Sequence, residues 1–367
     1  MLLALLGACS PPPPMFIDKA GIDEARIDGN AVAVCVGLTM KDEAVRTYAA
    51  ERLATWKGPQ ECVCQHLERD GSWDLPVLRG LDEAEDDARV GCVAALLDKP
   101  ALPDRPGLAR ALGPFRAPAV KARLKTAAKS DADLAVRAEA MAALRPEKDE
   151  EARSILVAAL ADPEASIRAS AATALVGLPE TAPRLAALMS DSDPGVRAAV
   201  LASLDKVKGF AFADVACKAL AEDADPSVRA AAALTIKGSK DVALGNCLRA
   251  HMLEPEDSGE VRAAMLTALR GTPGKVAADT LCDAIPFWTK TYVGDGPVEK
   301  MGNADIVGAH NDRDFERSYE CTERALKAGG YTCWQRGYLA AYYREFGGKV
   351  GVPQCGGGTA VSNEITF

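Results

Sequence analysis

The sequence predicts an all-α protein, an α-solenoid of helical-hairpin repeats that ends in an aromatic-rich helical cap. The first observation behind this prediction is a repeated motif, DSDPGVRAAVLASL at 191–204 and DADPSVRAAAALTI at 223–236. The second is that apolar residues in each copy recur every four positions, which places them on one helical face. Tandem units of about 30 residues that each supply two helices form a solenoid.

The copies align on a β-branched or small residue that precedes an arginine. These anchor residues are Val45, Ala88, Val136, Ile167, Val196, Val228 and Val261. The residues four positions later are Ala49, Cys92, Ala140, Ala171, Val200, Ala232 and Met265, and those eight positions later are Leu53, Leu96, Leu144, Leu175, Leu204, Ile236 and Leu269. All are apolar, so each copy predicts a helix with one buried face.

Polar residues precede each of these helices. Three positions before the anchors lie Asp42, Glu85, Asp133, Glu164, Asp193, Asp225 and Ser258. Such residues accept hydrogen bonds from free amide groups at a helix N-terminus. Pro194 and Pro226 follow two of them at the first helical position, where the missing N–H costs nothing. We therefore expect a capped helix in every unit.

Further helical segments lie between the anchored helices. EARSILVAAL (151–160), TAPRLAALM (181–189) and FADVACKAL (212–220) are predicted to be the first helices of their hairpins. The long step from Ala88 to Val136 is irregular, because the prolines of 98–118 rule out one continuous helix. That segment is either a degenerate repeat or a loop with a function.

The pattern DPxxxVRxxAAxxL over about residues 40–270 resembles the HEAT-repeat family, in particular its short bacterial form related to the repeats of phycobilin lyases. The resemblance implies stacked hairpins with the anchored helix in the inner layer. It also implies a structural ladder in which arginines meet the acidic caps of the adjacent unit. These arginines are Arg46, Arg89, Arg137, Arg168, Arg197, Arg229 and Arg262. A ligand-binding arginine stripe is the alternative, although interleaved acids oppose it.

The N-terminus carries a possible anchor. LGAC, ending at Cys9, resembles the lipobox of bacterial lipoproteins, which implies lipidation of Cys9 after removal of residues 1–8. The apolar run is shorter than a secretory signal and lacks a basic region, so we expect the natural start to lie upstream. Pro11–Pro14 form a stiff spacer within a tether at 9–20. A disordered terminus with a chance cysteine is the alternative.

The remaining cysteines are even in number and fit no zinc-site spacing. They are Cys35, Cys62, Cys64, Cys92, Cys217, Cys247, Cys282, Cys321, Cys333 and Cys355. We expect disulfides of an exported protein, with local pairing in an N-terminal and a C-terminal group and a Cys217–Cys247 staple between first helices. Buried free thiols are the alternative, and ECVC at 61–64 could be a redox pair.

The composition changes after the solenoid, which we place at 21–285. Residues 286–367 hold 12 of the 19 aromatic residues and are predicted to be a cap that covers the last repeat. Trp334, Tyr338 and Tyr342 share one helical face, as core of the cap or as a binding patch. The polar loop at 293–314 is a second candidate for function, although its Asp and His residues show no metal-ligand spacing.

The sequence favours a binding protein over an enzyme. It shows no catalytic motif, and its 3 histidines are widely separated. The net charge of −9 argues against nucleic-acid binding. We expect a lipid-anchored, non-catalytic scaffold of the bacterial cell envelope, facing the periplasm or cell surface, that binds another protein and needs no metal or cofactor. A phycobilin-lyase-like or other ligand-handling enzyme on HEAT repeats is the alternative.

Overall fold

The computed structural model describes residues 17–54, 56, 64, 68, 87–144, 146–271, 275–292 and 315–345. These residues form α-helices and short 3-10 turns, and none of them is in a strand. The chain divides into two compact units, residues 1–175 and 176–367. Each unit is built from helical hairpins that pack in series, so the predicted all-α solenoid is confirmed.

The helices are numbered here in chain order among the described residues. The first unit contains α1 (Lys19–Ile27), α2 (Ala31–Gly37), α3 (Glu43–Ala54), α4 (Asp87–Ala95), α5 (Arg105–Leu112), α6 (Pro118–Ser130), α7 (Leu134–Ala143), α8 (Glu150–Ala159) and α9 (Ala165–Ala174). The second contains α10 (Ala182–Ala187), α11 (Pro194–Leu204), α12 (Phe212–Glu222), α13 (Pro226–Ile236), α14 (Val242–Met252), α15 (Gly259–Gly271), α16 (Lys275–Tyr292), α17 (Phe315–Ala328) and α18 (Cys333–Glu345).

The first unit opens with three mutually packed helices and continues as two layers. α1, α2 and α3 contact one another, and Gly37 permits a close approach, because a Cβ there would lie 2.7 Å from the Cβ of Ala49. Further along, α4, α6 and α8 pack in series as first helices of their hairpins. α5, α7 and α9 pack in series as second helices.

The second unit repeats this two-layer arrangement. α11, α13 and α15 form its layer of second helices, while α12, α14 and α16 pack in series as first helices. α10 packs against α11, its partner in the first hairpin. At the other end α16, α17 and α18 pack against one another and form the part of the cap that the structure describes.

The predicted buried face is confirmed from Val136 to Leu269. The anchors Val136, Ile167, Val196, Val228 and Val261 are all 0% exposed. The residues four and eight positions after them are buried as well. Burying one of these Val, Leu, Ile or Met side chains contributes about 1.5–3 kcal/mol, so this repeated stripe stabilises the hairpins.

Most of the predicted caps are present. The carboxylates of Asp133, Asp193 and Asp225 each accept a hydrogen bond from an amide in the first turn of their helices. Helices α11 and α13 begin at Pro194 and Pro226, as expected. Glu164 is the exception at the start of α9, because its side chain makes no cap hydrogen bond. Glutamate is absent from the residues that N-cap positions prefer.

The anchor at Ala88 is wrong. It lies in α4, which packs against α6 in the layer of first helices, whereas the other anchors from Val136 onward lie in second helices. The second helix of this hairpin is α5, whose residue Leu108 is fully buried. First helices also carry apolar residues at intervals of four. The sequence of α4 therefore matches the pattern of apolar residues that was used to align the second helices. Arg89 therefore belongs to a first helix.

The segment 98–118 contains α5 and is a degenerate repeat. Asp104 caps α5 from the left-handed region at φ 48°, and its carboxylate accepts a hydrogen bond from the amide of Gly107. Leu108 and Leu112 are buried against the neighbouring second helix α7. The prolines interrupt the chain between helices, as predicted, and the helix they delimit continues the solenoid.

Helix ends do not coincide with the composition changes used for the domain boundaries. α1 begins at Lys19, inside the tether predicted at 9–20. α16 extends across the predicted boundary at 285/286, so the first aromatic residues of the cap belong to a first helix that packs on α14.

Candidate functional site

Arginines on several of the second helices join their own repeat to the next. In the second unit, Arg197 donates from Nε and Nη2 to the two carboxylate oxygens of Asp223 at 2.8 and 2.7 Å. Its remaining nitrogen, Nη1, donates to the backbone carbonyl of Asp191 at 2.8 Å. The guanidinium thus connects the turn before its own helix to the turn before the following one.

The same contacts recur in other repeats. Arg137 donates to Asp162 at 2.7 Å, and Arg229 donates to both carboxylate oxygens of Glu256 at 2.9 Å. A bond from Nη1 to a carbonyl of the preceding turn is made by Arg46, Arg168, Arg229 and Arg262. The side chain of Arg89 lies outside the described residues.

The predicted acidic partner was wrong by two positions. The arginine of one repeat binds the acid that lies five residues before the anchor of the next repeat. The predicted partner, the N-cap acid, lies three residues before that anchor. The N-cap carboxylate is already engaged by an amide of its own helix, as Asp225 is by the amide of Ser227 at 2.9 Å. Asp223 is turned toward Arg197 and also accepts from the amide of Asp225. The turns that contain Asp131 with Asp133 and Asp223 with Asp225 therefore use two acids, the second for the cap and the first for the ladder.

Arg105 is a member of the ladder that the sequence analysis missed. It donates to both carboxylate oxygens of Asp131, where each side chain is 11% exposed, and to the carbonyl of Leu97. Arg105 is the first residue of α5, so it lies outside the valine–arginine pattern used to align the repeats. The prolines on both sides of it concealed the helix.

The ladder carboxylates are held in their charged form. Burial alone would raise the pKa of Asp223, but hydrogen bonds from Arg197 and from the amide of Asp225 outweigh it and lower the pKa. Glu256 is 4% exposed, and its pKa is lowered in the same way against burial by Arg229 and by the amide of Ser258. These charges are satisfied within the protein, and this geometry favours a structural role over a ligand-binding arginine stripe.

Aromatic residues of α16 contact the turn that contains Glu256, the acid of the last described ion pair of the ladder. The indole Nε1 of Trp288 donates to the carbonyl of Met252 at 2.6 Å, and Trp288 is 1% exposed. Tyr292 accepts at its hydroxyl from the amide of Glu256 at 2.8 Å, and the guanidinium of Arg262 lies 4.7 Å from its ring centroid. Both aromatic residues were predicted to lie in the cap, and they join α16 to the turn before α15.

A second charged cluster joins α1 to α3. Tyr48 donates to Asp23, whose other carboxylate oxygen accepts from Arg52 Nε at 2.9 Å. The hydroxyl of Tyr48 contributes most to lowering the pKa of Asp23, followed by Arg52 against the opposing effect of burial. Asp23, Arg52 and Trp56 line a cavity of about 580 Å³. The cluster connects α1 to α3, and no motif in the sequence indicated it.

Three cysteine pairs lie at disulfide spacing where the structure describes both partners. The Cα atoms are 6.2 Å apart for Cys64 and Cys92, 5.7 Å for Cys217 and Cys247, and 5.1 Å for Cys282 and Cys321. Disulfides require about 4.4–6.8 Å. Each pair falls in the group to which the sequence analysis assigned it. Cys35 lies in α2 and Cys333 begins α18, while Cys9, Cys62 and Cys355 lie outside the described residues.

A groove of about 610 Å³ lies between α10 and α12, on the layer of first helices. Its floor includes the half-buried Val215 and the buried Ala219. Its rim includes the exposed side chains of Asp214, Lys218 and Glu222. α10 has only six residues and continues into the 3-10 turn Leu188–Ser190, so it cannot fill the space beside the 11-residue α12. A helix was predicted at 181–189, but its shortness was not.

Other predicted sites are only partly visible. Trp334 and Tyr338 are half-buried in α18, and the side chain of Tyr342 lies outside the described residues, as does the loop 293–314. Within the ranges that the structure describes, no group of His, Cys, Asp and Glu could hold a metal ion. No helix in those ranges is long and apolar enough to cross a bilayer.

The repeated hairpins agree with a sequence match. Residues 174–237 match the family described as HEAT repeats. The chain contains HEAT-like repeats. No curated protein matches it significantly.

The solved structures include one that is similar along most of this HEAT-like protein. It is the crystal structure of an engineered protein with 16% sequence identity, and the similarity covers 90% of each chain with a TM-score of 0.39. The assignment to HEAT-like repeats depends on the matched residues and on the repeated hairpins.

Proposed function

We propose that this HEAT-like protein is a non-catalytic scaffold of the bacterial cell envelope that binds another protein. The single observation that carries the proposal is the open groove between α10 and α12. The carboxylates of Asp223 and Glu256 are engaged by arginines of the ladder, whereas this groove combines an apolar floor with exposed charges. Repeat solenoids commonly serve as binding proteins.

Partner capture from membranes tests this proposal. The full-length protein is crosslinked in cells of the source organism, purified and analysed by mass spectrometry. We expect one envelope protein at near-stoichiometric yield, absent from a control preparation that lacks the bait. A tightly bound chromophore or nucleotide in place of a protein would contradict the scaffold function and favour a ligand-handling enzyme.

We also propose that a lipid on Cys9 tethers the solenoid to the membrane through the proline-rich segment. The support is the lipobox-like LGAC sequence and the four prolines that follow it. Metabolic labelling with palmitate tests this for the chain expressed with its natural upstream sequence. Label is expected in the wild type and in a Ser10→Ala control, and it is expected to be lost in Cys9→Ser. Equal label in all three proteins would refute the anchor.

The proposed location implies oxidised cysteines. The three described pairs have Cα separations that suit disulfides without movement of the backbone. Exported proteins keep such bonds, whereas cytosolic proteins are generally reduced. Thiol titration of denatured, unreduced protein is expected to find no free thiol among these six cysteines. Six reactive thiols at these positions, identified by alkylation and mass spectrometry, would contradict export.

A further inference from the structure

We infer that the groove between α10 and α12 holds an amphipathic helix of the partner, with cations at both ends of one edge and an anion between them. This inference rests on the proposed scaffold function and deepens it, because it names the chemistry of the partner. It follows from the length of the groove, the nature of its walls and the order of charges on its rim.

The groove follows one face of α12. Asp214, Val215, Lys218, Ala219 and Glu222 all line it, and their spacing of about four residues places them on one side of the helix. The distance from the first to the last is about 12 Å at 1.5 Å per residue, or two helical turns. A partner element must therefore present apolar side chains over about two turns.

The helical walls of the groove favour a helix over an extended strand as the bound element. Both walls are helical, and backbone amides and carbonyls within a helix are already hydrogen-bonded to each other. A strand placed here would find no main-chain partners, in contrast to a strand added to a sheet edge. A helix satisfies its own backbone and needs only side-chain contacts, which the apolar floor of Val215 and Ala219 supplies.

The charged residues on the rim of the groove determine which charges a bound helix must carry. Asp214 and Glu222 are exposed carboxylates at the two ends of the groove, and Lys218 lies between them. Asp223 also lines the groove, but Arg197 already occupies its carboxylate. A complementary helix therefore carries cation, anion, cation at positions i, i+4 and i+8. This order reads the same in both directions, so it fits either orientation of the bound helix.

The groove is an opening in an otherwise packed part of the layer. On its other flank α12 packs against α14, and α14 packs against α16. Cys217 and Cys247 lie on that closed flank, with Cα atoms 5.7 Å apart. The side toward α10 differs because α10 is short and its groove-lining residues Ala186 and Ala187 are small.

Synthetic peptides test the inference on the full-length protein. The probe is a stapled helix with a leucine stripe and Lys, Glu and Lys at i, i+4 and i+8 on one edge. Two control peptides carry Glu, Lys, Glu or, with the composition of the probe, Lys, Lys, Glu. In fluorescence anisotropy at low salt, we expect the probe to bind about tenfold more tightly than the first control and about threefold more tightly than the second.

Matched protein variants locate the binding site. Ala187→Trp fills the groove, and Ala243→Trp places the same side chain on an exposed position of α14. The first is expected to weaken probe binding at least about tenfold and the second to leave it unchanged. Glu222→Lys is expected to weaken binding about fivefold, whereas Glu254→Lys, with the same change in net charge, has less than a twofold effect.

The outcomes separate this inference from the scaffold function. Equal binding of the three peptides, equal effects of the two tryptophan variants, or no probe binding by the wild type would overturn the inference. If the cellular partner is captured equally by wild type and Ala187→Trp, the groove is not its binding site, although the proposed scaffold function still holds. If Ala187→Trp alone loses a defined partner, that result supports both. Circular dichroism verifies that each variant is folded.

Discussion

Arg197 and Asp223 form a two-pronged ion pair between successive repeats, with nitrogen–oxygen distances of 2.7 and 2.8 Å. Their side chains are only 13% and 10% exposed. The pair is repeated one unit later by Arg229 and Glu256. Each contact fixes the turn that precedes a helix as well as the helix that donates the arginine. The ladder therefore links the turns of neighbouring repeats.

Removal of Arg197 tests the ladder. Arg197→Ala leaves the carboxylate of Asp223 buried without its cation, so we expect the free energy of unfolding to fall by about 3 kcal/mol. Urea denaturation followed by circular dichroism measures the change. Arg184→Ala removes an exposed arginine in the same unit and is expected to unfold as the wild type does. Similar unfolding curves for both variants would contradict a stabilising ladder.

The pH dependence of stability tests the charged state of the acids. The pKa of Asp223 is lower in the folded protein than the value of about 3.9 for an unfolded aspartate. Its contribution is therefore present above about pH 4 and is lost as pH falls through the folded pKa. We expect Asp223→Asn, which keeps the turn hydrogen bond, to lose less stability than the wild type between about pH 5 and 2. Parallel curves would contradict the pKa shift.

The buried stripe is tested by two leucines in neighbouring second helices. Leu204 is fully buried and Leu234 is 47% exposed. Leu204→Ala leaves a cavity and is expected to destabilise the protein by about 3 kcal/mol, whereas Leu234→Ala costs well under about 1 kcal/mol. Thermal unfolding by calorimetry distinguishes the two. Equal losses would mean that the helix presents a different face to the core.

The staple between α12 and α14 is tested by its redox dependence. A bond between Cys217 and Cys247 closes a segment with a sequence separation of 30 and is expected to contribute about 3 kcal/mol. The Cys217→Ser, Cys247→Ser double variant should unfold earlier than the wild type without reductant. With reductant the two proteins should unfold at more similar temperatures. No difference under oxidising conditions would show that the two thiols are not bonded.

The sequence was sufficient for the repeat register from Val136 to Leu269, because burial of a helical face requires apolar residues at fixed intervals. It was insufficient where two helices carry the same pattern. Ala88 satisfies the apolar rule within α4, and only packing against α6 shows that α4 is a first helix. Conversely, α5 was hidden because it is short and bounded by prolines.

The groove also could not be predicted from the sequence. TAPRLAALM was predicted to be a first helix, and α10 does occupy part of it, from Ala182 to Ala187. The α-helix is short because residues Leu188–Ser190 form a 3-10 turn. Such a change of helix type has no reliable mark in the sequence, since α and 3-10 helices accept similar residues. Likewise, local sequence does not show which of two nearby acids an arginine binds.

The most direct test of the account is site-specific photocrosslinking in living cells of the source organism. A photoreactive amino acid is placed singly at Ala187, in the groove, and at Ala243, on the exposed side of α14. We predict a discrete adduct of protein size at Ala187 that is much weaker at Ala243. The absence of any protein adduct at both positions, in cells where the variants are stable and correctly located, would contradict partner binding by this surface of the solenoid.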